Sequence, residues 1–372
     1  MRRRTLLLLG AAAAVAVGAV VLLAPERVER SELAAADAAG GALAFPGLAP
    51  RLAGAQRIEV RRGPDALLAL DRRGEVWVLP DRGGYPVRPE RVRELLVGLT
   101  ELRLVERRTA DPAQLDRLGL DDQARPGTTA VLLRVLDGGG APIAELVVGR
   151  RRVRTQGNVP ETVYVRRPDE SQSWLAEGRL PADGDAQLWI DRDVANLGTD
   201  RIRRVAVRRE GGAPLVLTRG DGPEARLALV DPADGPALDE VSVDEVARAF
   251  EYLTFTEVRP EAEMPGDAAA LGEARFELTG DLAVTVRPHK EAEALWVRLA
   301  AEGGTPEAER LNARWAGWAY QVGPWKEKAF LPRLEDLTPR GAASAPTTAA
   351  DAPPSSAGGE APPSPAGGAP PR

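Results

Sequence analysis

The side chains that most often carry catalysis are scarce in this chain. It contains one histidine, His289, and no cysteine. A zinc or iron–sulfur site needs several imidazoles or thiolates, and a thiol nucleophile needs a cysteine. His289 lies at the end of a predicted strand, in Val286-Arg287-Pro288-His289-Lys290, and we expect it to face solvent. We therefore predict no metal site, no cofactor and no catalytic histidine.

Carboxylates are plentiful, and two of them at the right separation suffice for glycoside hydrolysis. Candidates lie around Leu118-Gly119-Leu120 and near the predicted domain boundary: Asp111, Asp116, Asp121, Asp122, Asp191 and Asp193. In a chain with 28% charged residues, most carboxylates cap helices or face solvent. The glycine-rich nucleotide-binding loops and the Gly-x-Ser-x-Gly elbow are missing from the sequence. Together these patterns favour a protein that is not an enzyme.

Tryptophans supply the remaining candidate site. Trp315, Trp318 and Trp325 cluster near the end of the predicted folded part. An exposed aromatic cluster stacks on sugars or anchors a partner protein, whereas a buried one fills a core. The spacing leaves both alternatives open, so these three are candidate partner-binding or ligand-binding residues. Trp77 and Trp296 lie in alternating runs, and we expect them in the core.

An internal duplication organises the elements that position these side chains. Residues 91–106 align without a gap with residues 242–257, and apolar positions recur in both at helical spacing. The matched apolar pairs are Val92 with Val243, Leu95 with Val246, Leu99 with Phe250, and Leu102 with Leu253. The pattern predicts that an amphipathic helix followed by a strand occurs twice in the chain.

Alternating apolar and polar runs flank both copies, and such runs predict strands with one buried face. They include Arg57-Ile58-Glu59-Val60 in the first copy and residues 201–207 in the second. A short helix is predicted around Ser171 to Leu180. Hairpins with few helices predict an α+β fold: two tandem repeated domains of mainly antiparallel sheet with packed helices, after one N-terminal transmembrane helix.

The predicted transmembrane helix is the apolar run from Leu6 to Ala24, which follows Arg2-Arg3-Arg4. A helix of this length spans roughly 28 Å, close to a bilayer's hydrocarbon core. The preceding arginines favour a cytoplasmic N-terminus, with the bulk of the chain in the periplasm. A cleaved signal, cut after Ala14-Val15-Ala16 or Ala42-Leu43-Ala44, is the alternative, and it also exports the chain.

Composition limits the possible partners and predicts a disordered segment at the C-terminal end. With 49 basic and 55 acidic residues well interleaved, the chain lacks the basic face of a nucleic-acid binder. The last stretch is almost all Ala, Pro, Gly and Ser, which predicts a disordered tail. The predicted segments are a basic end (1–5), the anchor (6–24), a linker (25–54), the first repeat (55–185), a linker (186–199), the second repeat (200–338) and the tail (339–372).

Several short motifs resemble the DUF4340 family of bacterial membrane-anchored envelope proteins. They are Gly74-Glu75-Val76-Trp77-Val78, Pro86-Val87, Leu118-Gly119-Leu120, Leu146-Val147-Val148-Gly149 and Val163-Tyr164-Val165. The resemblance covers residues 58–337, whereas the long Ala/Pro tail departs from the family pattern.

The resemblance implies a location and a mode of action. It implies an inner-membrane protein with one span, no established activity, and a neighbouring ABC permease with auxiliary envelope subunits. We therefore expect a non-enzymatic accessory or binding subunit of a gliding-motility-like ABC transport system, with the membrane and the permease as partners. The alternative is an envelope glycan or peptidoglycan hydrolase that uses paired carboxylates.

Overall fold

The structure is a computed structural model that describes residues 41–152, 160–222, 225–264 and 270–339. Within these ranges antiparallel sheets dominate and helices are few, which confirms an α+β fold. No helix in these ranges is both long enough and apolar enough to span a bilayer. The predicted anchor at residues 6–24 and the predicted tail beyond residue 339 lie outside the described residues.

The first sheet carries ten strands among the described residues. The strands are β1 (Ala42–Leu43), β2 (Ala55–Arg62), β3 (Ala66–Arg73), β4 (Val76–Leu79), β5 (Tyr85–Pro86), β6 (Arg103–Arg107), β7 (Val131–Asp137), β8 (Pro142–Arg152), β9 (Thr162–Arg166) and β10 (Ser173–Glu177). Their order across the sheet is β1-β6-β10-β9-β8-β7-β2-β3-β4-β5. Three helices accompany them: α1 (Leu48–Arg51), α2 (Pro89–Glu101) and α3 (Leu115–Leu118).

The second sheet carries eight strands among the described residues. The strands of this half are β11 (Asp193–Ala195), β12 (Ile202–Arg209), β13 (Leu215–Arg219), β14 (Leu227–Asp231), β15 (Leu253–Thr254), β16 (Glu257–Pro260), β17 (Gly272–Leu278), β18 (Leu282–Glu291), β19 (Ala294–Glu302) and β20 (Trp318–Val322). The sheet order is β14-β13-β12-β17-β18-β19-β20-β16, while β11 and β15 pair with each other. The helices are α4 (Glu240–Ala247), α5 (Pro306–Trp315) and α6 (Lys326–Phe330).

Alternation along the strands builds the core. In β12, Val205 and Val207 are buried, while Ala206 between them and Arg208 after them are more exposed. Period-two alternation of this kind puts one face of a strand against a core. One hydrophobic cluster runs through both sheets, so their cores are continuous.

Helix α2 lies on the first sheet because its sequence supplies one apolar stripe. Pro89 occupies the first turn, where its missing N–H costs no hydrogen bond, and Val92, Leu95 and Leu99 are buried. Gly98 lets the helix approach the chain that follows β10: a Cβ at residue 98 would lie 2.2 Å from the Arg179 carbonyl oxygen.

The two sheets meet at an aromatic seam. Tyr85 of β5 packs edge-on against Phe255 and Trp318, with ring centroids 5.6 and 4.9 Å away. Beside it, Gly83 lies against the Pro260 ring, in a left-handed conformation with φ 66°. Arg82 forms an ion pair with Glu257 across the same seam. The seam therefore joins β5 and the turn before it to β16 and β20.

One segment differs from its predicted secondary structure. The short helix predicted around residues 171–180 is wrong, because that segment holds strand β10, paired with β6 and β9. Burial of Ser173-Trp174-Leu175-Ala176 in the sheet overrides local helix propensity. Of the residues predicted as linkers, 42–43 form β1 and 48–51 form α1, while 193–195 form β11.

Candidate functional site

The three candidate tryptophans do not form one exposed cluster. Trp315 is 1% exposed, and its indole N–H donates to the Val194 carbonyl oxygen at 2.9 Å, so it is a core residue. Trp318 is partly buried at the seam, against Tyr85. Trp325 is 75% exposed and lies over Gly323. Of the three, only Trp325 is open to a partner.

His289 is buried rather than solvent-facing, so that expectation is wrong. It is 1% exposed in β18, because Arg298 of the neighbouring strand and an isolated bridge to Ala270 enclose it. Its Nδ1 lies 3.2 Å from the Arg287 carbonyl oxygen, and its Nε2 lies 3.0 Å from an Arg298 guanidinium nitrogen. This geometry fits a neutral ring that donates from Nδ1 and accepts at Nε2. The residue thus ties two strands together.

The candidate carboxylates mostly serve local structure. Asp121 is buried, accepts a hydrogen bond from the Thr128 hydroxyl at 2.9 Å and forms an ion pair with Arg125 at 3.1 Å. Asp111 caps the turn at Pro112–Gln114, and Asp191 forms an ion pair with Arg314 at 3.0 Å. In the described part of the chain, no group of three or more acidic or histidine side chains is arranged to hold a metal ion.

Shifted pKa values elsewhere have structural causes. Burial raises the pKa of Tyr320, whose hydroxyl donates to the Arg314 carbonyl oxygen at 2.9 Å. Burial lowers the pKa of Lys326, whose ammonium group donates to the Arg248 and Ala249 carbonyl oxygens just after α4. These groups hold secondary structure together and face no cavity described for this chain.

The feature best suited to function is an apolar groove on the first sheet, which we call the α1–α2 groove. It has a volume of about 410 Å³. Its lining residues come from α1, β4 and α2 and from the residue just after α1: Ala49, Leu52, Trp77, Pro89, Val92, Arg93, Leu96, Val97 and Thr100. Val97 is 43% exposed, and Trp77, Leu52 and Leu96 are partly buried, so the groove presents apolar surface to solvent.

Local sequence explains how the groove forms. Leu95, Leu96 and Val97 are consecutive, so the apolar surface of α2 extends beyond the stripe that packs on the sheet. Leu95 is buried, whereas Leu96 and Val97 turn toward the groove. Helix α1 follows the left-handed Gly47 and forms the opposite wall. Trp77 in β4 lies in the lining between them.

The groove is cationic as well as apolar. Arg93 is its one charged lining residue, and Arg51 ends the helix that forms its wall. Neither side chain forms an ion pair with another of the described residues. The groove therefore suits an apolar side chain flanked by an acidic group. Sequence reasoning missed this site because Trp77 was expected in the core; the run Leu95-Leu96-Val97 was the available signal.

A family model described as "Domain of unknown function (DUF4340)" matches residues 77–274, more than half of the chain. The chain belongs to the DUF4340 family. The matched range begins at Trp77 in the groove and includes α2. It also lies inside the range over which the short motifs resemble this family. Neither the curated proteins nor the solved structures contain a match to this chain.

Proposed function

We propose that this DUF4340 protein is a non-enzymatic accessory subunit, anchored in the bacterial inner membrane by residues 6–24 and exposed to the periplasm. In this proposal it works by contact with the permease of an ABC-type, gliding-motility-like transport system. The α1–α2 groove is the observation that carries the proposal, because exposed apolar surface bounded by polar residues is typical of protein interaction sites. The caps and ion pairs made by the candidate carboxylates also favour contact over hydrolysis.

We further propose that the two halves are tandem repeats. The second repeat then shows which of the groove residues the fold itself requires. Within the sheets, the order β6-β10-β9-β8-β7-β2-β3-β4 has the same pattern as β16-β20-β19-β18-β17-β12-β13-β14. Arg88, which caps α2, donates its backbone N–H to the Trp189 carbonyl oxygen at 2.8 Å. Asp239, which caps α4, donates to the Leu337 carbonyl oxygen at 2.7 Å. These two caps are equivalent in the ungapped alignment.

The groove is apolar in the first repeat only. In the same alignment, Leu96 corresponds to Ala247 and Val97 to Arg248. The buried positions of the two helices stay apolar in both copies, as Val92 and Val243 do. Because the second repeat folds with small or charged residues at the groove positions, the fold does not require the apolar ones. Their presence supports a binding role.

The proposed occupant is an extracytoplasmic segment of the permease that presents apolar side chains beside an acidic one. Arg93 and Arg51 favour the acidic group. Helix α1 also lies close in sequence to the proposed anchor. Residues 25–40 reach at most about 55 Å when fully extended, which keeps the groove near the membrane surface where such segments emerge.

Affinity purification of the full-length protein from its native membrane in detergent tests the proposal. Val97→Asp places a charge in the groove, and Arg248→Asp makes the same product at the equivalent position of the second repeat. We expect the wild type and Arg248→Asp to recover an ABC permease and its ATPase, and Val97→Asp to lose most of both. Equal recovery of the permease by all three proteins would exclude the groove as the binding site. Failure of the wild type to recover any transporter subunit would contradict the transport role.

A further inference from the structure

The α1–α2 groove leaves apolar surface uncovered by any other part of the described chain. Val97 is 43% exposed, and Trp77 and Leu96 are only partly buried. Burial of such surface is favourable, so a segment that can cover it gains stability by doing so. Arg51 and Arg93 are both exposed and add a preference for a carboxylate. The preferred occupant therefore combines a large apolar side chain with an adjacent carboxylate.

Residues 25–40, which directly precede the described part of the chain, have this combination. They contain Val28 next to Glu29 and Leu33 next to Glu32. In all they carry four carboxylates and two arginines, so the segment is acidic. An acidic segment is electrostatically complementary to the two arginines of the groove.

The other segments outside the described residues lack the combination. Residues 1–24 and 153–159 contain no carboxylate. Residues 223–224, 265–269 and 340–372 contain carboxylates but no valine, leucine, isoleucine, methionine or aromatic residue. Of the chain outside the described residues, only the segment just before β1 therefore matches the groove in both apolar character and charge.

The chain connection places this segment within reach of the groove. Gly41 lies beside β6: a Cβ there would lie 3.1 Å from the Leu104 carbonyl oxygen. Thr100 lines the groove and is four residues before Leu104, so the two Cα atoms lie within about 15 Å of each other. Leu33 is eight residues before Gly41 and can extend up to about 28 Å from it. The connection therefore allows Leu33 to contact the groove.

We propose that residues 25–40 cover the α1–α2 groove of their own chain in the free protein. Leu33 lies on the apolar surface, and the carboxylates of the segment lie beside Arg51 and Arg93. Because the segment is tethered, its effective concentration at the groove is in the millimolar range, so a weak contact suffices.

The cover would regulate the binding of the permease. The permease segment has to displace residues 25–40, which lowers its apparent affinity by the fraction of chains whose groove is open. This regulatory part rests on the proposed function, whereas the contact between the segment and the groove does not.

The absence of cysteine from the sequence allows a direct test in the full-length protein, purified in detergent away from other proteins. Ala34→Cys with Thr100→Cys places one thiol in the segment and one in the groove lining, and keeps Leu33. A short bis-maleimide should join them within one chain, as peptide mass spectrometry can identify. Ala34→Cys with Glu106→Cys is the matched control, because Glu106 is exposed and lies nearer to Gly41 along β6. We expect the first pair to link at least several-fold more than the second.

Charge reversal tests why the segment binds. Glu29→Arg with Glu32→Arg should lower the yield of the first cysteine pair several-fold, because it brings cations to the groove arginines. Arg51→Glu with Arg93→Glu should do the same from the other side. The four changes together restore opposite charges and should restore most of the yield.

Three results would overturn the contact. Equal linking of the two cysteine pairs would indicate random collision of a tethered segment. A yield that charge reversal leaves unchanged would exclude the electrostatic match. A link between two differently tagged copies, in place of the link within one chain, would assign the cover to a second copy.

Recovery of the permease separates this proposal from the proposed function. With the segment displaced, Glu29→Arg with Glu32→Arg should recover several-fold more permease from native membranes than the wild type does. Unchanged recovery would overturn the regulatory part. If the cysteine pair links but no variant recovers a permease, the contact stands and the transport role is contradicted.

Discussion

At the scale of single residues, one ion pair shows how side chains fix the ends of elements. Both Arg201 guanidinium nitrogens donate to Glu307, each at 2.8 Å, in a two-pronged pair. Arg201 immediately precedes β12, and Glu307 lies in the first turn of α5. The pair therefore links the N-terminal end of β12 to the N-terminal end of α5. The hydrogen bonds from Arg201 lower the pKa of the Glu307 carboxyl.

This pair predicts a dependence of stability on pH. Because the folded-state pKa of Glu307 lies below its ordinary value of 4.5, its contribution is complete above that value. The contribution is lost as the pH falls through the lowered pKa. We expect Glu307→Gln to reduce the free energy of unfolding by about 1 kcal/mol near neutral pH, since the pair is partly exposed, and by less in acid.

Urea unfolding at about pH 7 and about pH 3 measures both effects. Glu309→Gln is the matched control, because Glu309 lies in the same first turn and is exposed. A difference between wild type and Glu307→Gln that stays constant across this range would contradict the role given to the carboxyl charge.

At the scale of elements, helix α2 depends on a close backbone approach. A Cβ on Gly98 would lie 2.2 Å from the Arg179 carbonyl oxygen, and a backbone atom cannot rotate aside as a side chain does. Alanine in place of glycine would favour the helix by about 1 kcal/mol through its intrinsic propensity. Overpacking typically costs about 1–3 kcal/mol, so the two effects oppose each other.

We expect overpacking to dominate, so that Gly98→Ala lowers the free energy of unfolding by roughly 1–2 kcal/mol. Chemical denaturation monitored by tryptophan fluorescence measures the change. Gly138→Ala is the control, because the nearest atom to a Cβ there lies 3.6 Å away. A more stable Gly98→Ala protein would mean that helix propensity outweighs the contact.

The same elements show what sequence patterns could predict. The spacing of Val92, Leu95 and Leu99 predicted α2 and its buried face, because helical periodicity reports which side meets a sheet. Strand β10 was missed because its burial comes from pairing with β6 and β9, which are distant in sequence. The groove was missed for a similar reason: Leu96 and Val97 lie in a helix that the sequence predicted, but whether they line a groove depends on where α1 lies.

At the scale of the whole molecule, the seam makes the two halves one packed body. Tyr85 is buried and lies among Phe255, Trp318 and Tyr320 of the second half. Aromatic side chains in such edge-on arrangements contribute both buried area and specific ring contacts. The residues around Tyr85 carried no sequence signal for this contact, because its partners lie far along the chain.

We expect Tyr85→Ala to loosen the seam, at a cost of about 3–5 kcal/mol as for other large buried aromatics. Hydrogen exchange followed by mass spectrometry should show faster exchange in β5, β16 and β20 than elsewhere. Tyr252→Ala makes the same substitution at an exposed tyrosine and should leave these strands protected. Unchanged exchange at the seam in Tyr85→Ala would show that the halves are held together by other contacts.

Strand β1 has a mechanical consequence for a chain pulled from upstream of residue 41. Tension reaches the fold first through two paired residues, Ala42 with Leu104 and Leu43 with Arg103. The next long element, β2, is held along its length by β3 on one side and β7 on the other. Under tension, β1 therefore separates from β6 while β2 stays paired. The chain lengthens by a few residues at the edge of the first sheet before its central strands separate.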